Sequence, residues 1–437
     1  MAKNTAINVR IKYKYIILIT VSKSIYCIFL EWKTMRRFNY CDENEILDGR
    51  ATDAYFLRTF EVLKAKRIDK RVVMEAMIKG FPDKDYNFGV FSGIQEVINL
   101  LSYVAENVAE SNSLNVWAMQ DGEIFFPNEP VLRIEGRYTD FGIYETAILG
   151  FISYASGIAT KAVRSRIVAN DKLVFSFGTR RLHPSVAPVI ERACYAGGFD
   201  AVSSIVGAEY MGKNAVGTMP HALMLLFGNS ADAFHAFNEV LPKEVPRIAL
   251  VDTYGSPKEE TLLALECMGP NLYGVRVDSG NLLKVGKELR WELDIRGRED
   301  VKLFASGGLD EYEVKRLAEV YDGFGIGTKV ANAPVMDFAL KIVEVDGIPR
   351  AKVGNYSGAK DVYRLKNEFR DLVVPKGKEI TNGYKPLLHQ VIRDGKVIKA
   401  FESVDDARER VLSQIKRLPD DLKSLYKKDG DRVKFFS

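Results

Sequence analysis

Apolar residues along this chain follow two regimes. Between residues 171 and 330, short β-branched runs alternate with stretches whose apolar positions recur at helical spacing. The runs Leu173–Phe177, Ala201–Ile205, Ala215–Met219, Arg247–Asp252, Leu272–Asp278, Val301–Ser306 and Gly323–Thr328 predict strands. Pro188–Ala196, Leu262–Met268, Leu282–Leu293 and Asp310–Val320 predict helices between them. Buried strands alternating with helices pair in parallel. About seven such units in a row favour closure into a barrel over an open, doubly wound sheet.

The flanking regions read differently. Ala51–Lys66 and Phe91–Ala109 have helical spacing, and Ile143–Arg166 is a long helical stretch with a break expected at Gly157. Val72–Met77 and Val131–Gly136 read as strands, and Asn115–Ala118 and Glu123–Phe126 flank an Asp121-Gly122 hairpin signal. After Asp337 strands return. Phe338–Val345 and Arg350–Val353 surround Asp346-Gly347, Phe369–Val373 and Gln390–Arg393 follow, and Val404–Arg417 is an amphipathic helix. The expected organisation is an α+β sandwich begun by residues 35–150, a catalytic α/β barrel at 151–336, and a return to the sandwich over 337–437.

The first 34 residues stand apart. Ile11 to Trp32 is apolar and basic, but Lys23 and polar neighbours interrupt it, so no run of about 18 clean apolar residues is available to span a bilayer. There is a basic start without a small-residue cleavage site. Residues 1–34 are expected to be a non-native extension, with Met35 as the natural start.

At 437 residues the chain has room for more than one well-filled core. It is 47% hydrophobic and 27% charged, ordinary for a globular protein, and its net charge of +4 is too small a bias to argue for nucleic acid. Cys27, Cys41, Cys194 and Cys267 are far apart, and the four histidines lack metal-ligand spacing, so neither a disulfide framework nor a zinc site is indicated and a cytoplasmic location is expected.

Candidate chemistry sits at the ends of the predicted barrel strands, the face that carries active sites in such folds. Arg180 and Arg181 follow Gly178-Thr179. Paired arginines are ordinarily solvated or salt-bridged, and otherwise suit bidentate recognition of carboxylate or phosphate; Thr179 adds a hydroxyl donor. His221 follows Gly217-Thr218 at the start of a predicted helix, Ala222–Phe227. A lone histidine there is commonly a cap or packed core residue, and otherwise binds or accepts a phosphate. Arg276 and Asp278, two apart on a strand, face one side. They form either a structural ion pair or an anion-binding arginine beside a carboxylate for sugar hydroxyls or Mg²⁺. Asp252 is a similar candidate one strand earlier. Ser306-Gly307-Gly308 and Gly325-Ile326-Gly327-Thr328 are either tight turns or glycine-rich loops whose N–H groups converge on a phosphate. Lys213, Lys329 and Lys360 lie near these ends as well. Tyr55, in Thr52-Asp53-Ala54-Tyr55-Phe56, reads bottom-up as part of an N-capped helix start.

This ordered set, with Gly122-Glu123-Ile124-Phe125-Phe126-Pro127-Asn128-Glu129-Pro130, resembles the nicotinate phosphoribosyltransferase family, with the archaeal-type branch nearest by length. The resemblance covers about residues 45–364. It implies the type II phosphoribosyltransferase fold, homodimers with shared active sites, and formation of nicotinate mononucleotide and pyrophosphate from nicotinate and phosphoribosyl pyrophosphate. Many members couple this to ATP hydrolysis through a phosphohistidine. The resemblance puts that histidine at His221, nicotinate contacts at Thr218 and Arg276, the ring-stacking aromatic at Tyr55 and a phosphoribosyl pyrophosphate contact at Thr328. Mg²⁺ is the implied metal, with Asp278 as a ligand. Asn281 stands where the family often has Asp, the Tyr356–Lys360 segment is shorter than the family's loop, and no cysteine follows Cys267 to form the zinc knuckle of some archaeal relatives.

The nearest rival is quinolinate phosphoribosyltransferase, which handles a dicarboxylate in a more basic pocket. A nicotinamide-using enzyme would need fewer cations. A phosphosugar isomerase or aldolase would want Lys or Glu at a strand end, and a non-catalytic binding protein leaves Arg276, Asp278 and His221 on one rim unexplained.

Overall fold

β-Branched runs too short and too apolar to stand at a surface assemble into a parallel sheet. The computed structural model describes residues 38–437 except 110–112, 367, 382, 400–401, 428–429, 431 and 436–437, together with the backbone of 17–21 and 24–28. The chain divides into two units, Met1–Glu43 and Asn44–Ser437. In the first, strands Ile17–Val21 and Ser24–Ile28 pair antiparallel; the rest of the expected extension at 1–34 lies outside the described residues.

In the second unit six parallel strands lie in the order Arg247–Leu250, Leu272–Val277, Lys302–Ala305, Gly323–Ile326, Leu173–Ser176 and Ala201–Val202. The helices Ala187–Ala196, Pro257–Met268, Leu282–Asp294 and Glu311–Leu317 follow their strands as expected. Their apolar stripes bury Ile190, Ala264, Leu289, Leu293 and Leu317 against the sheet, each leucine contributing about 2 kcal/mol by its burial. Asn281 caps the Leu282 helix by accepting from Lys284 N, so the departure from Asp leaves a competent cap.

One predicted strand does not form. Ala215–Met219 is irregular, and Val216 N donates a single backbone bond to Val202 O at 2.8 Å. Ala215 and Gly217 are exposed and Pro220 brings no N–H, so little burial or pairing offsets the cost of ordering this segment as a strand. The curled parallel sheet therefore has six strands rather than about seven, with Arg247–Leu250 and Ala201–Val202 at its edges and Ala215–Met219 running as a loop beside Val202.

Strands from both ends of this unit share a seven-stranded antiparallel sheet: Ile348–Pro349, Ala339–Val345, Arg71–Met77, Leu132–Arg137, Asn115–Ala118, His389–Arg393 and Lys396–Val397. A hairpin forms at Asp346-Gly347, but its second strand is Ile348–Pro349 and the expected strand Arg350–Val353 is irregular. The Asp121-Gly122 hairpin does not form. Asn115–Ala118 pairs with Leu132–Arg137 and His389–Arg393, while Ile124–Phe125 pairs with Gly89–Val90. Gly122, at φ +83, lets the helix Val404–Arg417 approach so closely that a Cβ would lie 2.4 Å from Ala407 O. The helix Glu145–Ala169 runs unbroken between two apolar cores. Gly157 serves close approach rather than a break, since a Cβ there would lie 2.4 Å from Pro334 O.

Candidate active site

The strand ends surround a cavity of about 670 Å³, within the range for small-molecule sites. Its wall includes Thr179, Arg180, Arg181, Gly217, Thr218, Arg276, Asp278, Ser306, Gly307, Gly308, Gly327 and Thr328. Nearly all the predicted residues thus meet in one place. Phe177, at the head of the Gly178–Arg181 motif, lines it too, as do Leu182, Pro184, Ser203, Ser204 and Val216, which the sequence does not single out. Ser203 and Ser204 fall within the expected strand Ala201–Ile205, but the strand ends three residues earlier, at Val202.

Arg276 is the organising side chain. Its alternation along the Leu272–Val277 strand turns it inward with Asp278. Nη1 donates to Asp278 Oδ1 at 2.9 Å and to Ser306 Oγ at 2.8 Å, and Nη2 donates to Met219 O at 3.0 Å. Ser306 Oγ donates to Asp278 Oδ1 in turn. A guanidinium has five N–H donors; three are used here, and among the described residues neither the second Nη2–H nor the buried Nε–H has an acceptor. Burial pulls the Arg276 pKa down, opposed by the Asp278 and Asp252 carboxylates. A partly buried arginine in a cavity wall with two unused donors is set to receive an anion.

Asp252 stands behind the cavity rather than in its wall. Its side chain is 4% exposed. Oδ2 accepts from Asp278 N at 3.0 Å and Ser279 Oγ at 2.7 Å, which fixes the loop carrying Asp278. Its Oδ1 lies 3.3 Å from His221 Nε2, close enough for an ion pair but without hydrogen-bond alignment. His221 opens the helix His221–Phe227 and is half-exposed, one residue beyond Pro220 of the cavity wall.

The glycine-rich ends behave as backbone donors. Gly307 and Gly308 have φ of +91 and +73, and a Cβ on Gly307 would fall 1.9 Å from Asp278 O. Among the described residues the N–H groups of both glycines lack a protein acceptor. Such N–H groups, with Thr328 opposite, form an anion cradle.

Other candidates are placed elsewhere. Arg180 and Arg181 are exposed on the cavity rim and make no ion pair among the described residues. Thr179 does not offer its proton to the cavity, because its hydroxyl is committed to the buried Glu191. Lys213 pairs with Asp405 at 2.7 Å and Lys360 with Glu75 at 2.9 Å. Tyr55 lies outside the cavity wall on the helix Ala54–Lys66, 56% exposed, with its ring centroid 4.2 Å from that of Phe56. Asp53 holds the N-cap position, but its side chain accepts from Thr146 Oγ1 instead of capping.

Comparison with known proteins adds three findings. Domain families described as the N-terminal and C-terminal domains of quinolinate phosphoribosyl transferase match residues 53–156 and 158–341, and the nicotinate phosphoribosyltransferase C-terminal domain matches 360–429. A nicotinate phosphoribosyltransferase of Mycobacterium tuberculosis is 32% identical over 330 residues, covering 71% of this chain and 70% of its own. The crystal structure of nicotinate-nucleotide pyrophosphorylase from Pyrococcus furiosus superimposes with TM-score 0.83 at 46% identity, over 88% of this chain and 99% of that one. The human nicotinic acid phosphoribosyltransferase superimposes with TM-score 0.73 at 20% identity, over 88% and 97%, a likeness of fold.

Proposed function

The chain belongs to the nicotinate phosphoribosyltransferase family, and on that premise we propose that it joins nicotinate to phosphoribosyl pyrophosphate, releasing nicotinate mononucleotide and pyrophosphate in NAD salvage. The observation that carries this reading is Arg276, a partly buried arginine in the cavity wall with two N–H donors that find no acceptor among the described residues. The nicotinate carboxylate supplies that acceptor, with Thr218 adding a hydroxyl across the cavity.

The pyridine nitrogen donates its lone pair to the anomeric carbon as the bond to pyrophosphate breaks and its electron pair leaves with pyrophosphate. No strong base is needed. The demands are alignment and charge stabilisation. Asp278 stabilises the positive charge that develops on the ribose, and Arg276 and Ser306 hold its carboxylate in place. Arg180 and Arg181, free of intrachain ion pairs among the described residues, stabilise the leaving pyrophosphate. The Gly307, Gly308, Gly327 and Thr328 side takes the 5′-phosphate. Asp252 acts through Asp278 by fixing its backbone.

Asp278 Oδ2 has no protein donor among the described residues, and a single carboxylate oxygen beside phosphates is a donor set suited to Mg²⁺. When bound, the metal neutralises charge on the pyrophosphate; Asp278 is the residue that would hold it. ATP coupling is assigned to His221. Neutral His221 attacks the γ-phosphorus of ATP with a ring-nitrogen lone pair, and ADP leaves; Asp252 Oδ1, 3.3 Å from Nε2, is the carboxylate beside it. The family's dimeric assembly accounts for Tyr55, whose exposed ring lies outside its own chain's cavity and is assigned to stacking on the pyridine of a neighbouring subunit.

Quinolinate is the second reading, favoured by the domain families matched over 53–341. Against it, the cations of the cavity wall are Arg180, Arg181 and Arg276, two of them already assigned to pyrophosphate. Purified protein with phosphoribosyl pyrophosphate and Mg²⁺ should release pyrophosphate on addition of nicotinate, faster with ATP. No release with nicotinate would overturn the reading.

A further inference from the structure

Behind the cavity wall lies a carboxylate that the reaction itself does not use. Glu191 sits on the helix Ala187–Ala196 and is fully buried. Its Oε1 accepts from the Thr179 hydroxyl, from Ser204 N at 3.0 Å and from the Ser203 hydroxyl at 3.5 Å. Those donors come from two different strand ends: Thr179 opens the turn that carries Arg180 and Arg181, and Ser203 and Ser204 follow the Ala201–Val202 strand. The edge of the sheet is otherwise weakly tied here, because Ala215–Met219 forms no ladder and contributes one bond to Val202. The stem of Glu191 is confined by Gly207, where a Cβ would lie 2.7 Å from Glu191 Cγ. Its other oxygen, Oε2, is buried without a hydrogen-bond partner.

We infer that Glu191 is a positioning residue: it clamps the Thr179–Arg181 turn to the Ser203–Ser204 end and so holds the arginine rim where pyrophosphate is bound. A buried carboxylate with an unpartnered oxygen is costly, and local packing alone would be served as well by an aliphatic side chain. The bonds it makes all run to residues of the cavity wall. Glu191 acts by accepting hydrogen bonds through a fixed stem, so Gln keeps the clamp and Leu removes it. The inference rests on the phosphoribosyl-transfer reading.

The test compares wild type with Glu191→Gln, Glu191→Leu and Thr179→Val, measuring KM for phosphoribosyl pyrophosphate, kcat, the Kd of pyrophosphate and Tm. Glu191→Leu should raise KM and the pyrophosphate Kd by about tenfold, with kcat changed less, and Glu191→Gln should stay within about threefold of wild type. Thr179→Val, which removes one donor and leaves the core intact, should shift both in the same direction by about threefold. Leu293→Ala, a core truncation on another helix, should lower Tm and leave KM unchanged. Wild-type KM in folded Glu191→Leu and Thr179→Val, or equal losses in the Gln and Leu variants, would overturn the inference. Inactive wild-type protein would instead overturn the functional reading on which it rests.

Discussion

Replacing Arg276 by lysine tests the site at its most connected atom. Arg276 serves Asp278, Ser306 and Met219 O at 2.9, 2.8 and 3.0 Å, and by the account above offers its two unused N–H donors to the nicotinate carboxylate. A lysine ammonium keeps the charge but presents its three donors from one point. It can satisfy Asp278 and Ser306, and not also Met219 O and a carboxylate on the far side. The loss is one hydrogen bond to a charged group, about 1.5–3 kcal/mol, or about 10- to 150-fold in KM for nicotinate. Initial rates of pyrophosphate release, with nicotinate varied at saturating phosphoribosyl pyrophosphate, measure it, and a parallel melt checks that the variant is folded. A neutral nicotinamide offers no carboxylate, so its slow reaction should change little and the selectivity between the two pyridines should collapse. A nicotinate KM within about threefold of wild type, or an undiminished preference over nicotinamide, would refute the assignment of Arg276 to the carboxylate.

Three further outcomes follow from the same structure. Gly307→Ala places a Cβ 1.9 Å from Asp278 O at a φ of +91, so melts should show a lower Tm and kinetics a weakened use of phosphoribosyl pyrophosphate; an unchanged Tm would contradict the close approach. His221→Ala should abolish stimulation by ATP while leaving basal transfer, and intact stimulation in coupled assays would remove His221 from that role. Burial raises the Glu145 pKa from 4.5 to about 7, with Asp53 adding to the rise and Lys341 opposing it. An acid whose pKa is raised on folding binds more protons folded than unfolded, so stability falls as pH climbs from 4.5 to 7 and the penalty persists above. At about 1.4 kcal/mol per pKa unit that penalty is at most about 3.5 kcal/mol, less what solvent screens at this part-exposed group. Glu145→Gln should therefore melt higher than wild type at pH 8 and equally at pH 4; a gain independent of pH would contradict it.

The barrel strands and their ends were legible because a parallel sheet demands apolar runs buried on both faces, and because the residues after each run carry the chemistry. Arg276 and Asp278 were legible for the same reason, since strand alternation puts them on one side. What failed was local reasoning about partners. The Asp121-Gly122 turn has hairpin chemistry, yet Asn115–Ala118 takes as neighbours a strand at Leu132–Arg137 and one at His389–Arg393, the latter far away in sequence. The Ala215–Met219 run has strand composition but lacks the burial that would hold it. Glu191 was missed because glutamate in an amphipathic helix is ordinarily a surface residue. Its position was a signal nonetheless: with Ala187, Ile190 and Cys194 it completes the i, i+3, i+4, i+7 stripe that faces the core. Asp252 lies at a strand end like the others, and only the geometry separates an anchor of Asp278 from a side chain in the cavity wall.

The central claim is that one pyridine carboxylate is read by one partly buried arginine. Its most direct measurement is kcat/KM for nicotinate, quinolinate and nicotinamide with the same protein, phosphoribosyl pyrophosphate and Mg²⁺. The account predicts nicotinate ahead of both rivals by about tenfold or more, the worth of one charge-assisted hydrogen bond or of a second carboxylate left unpaired. Quinolinate equal to or better than nicotinate would contradict it.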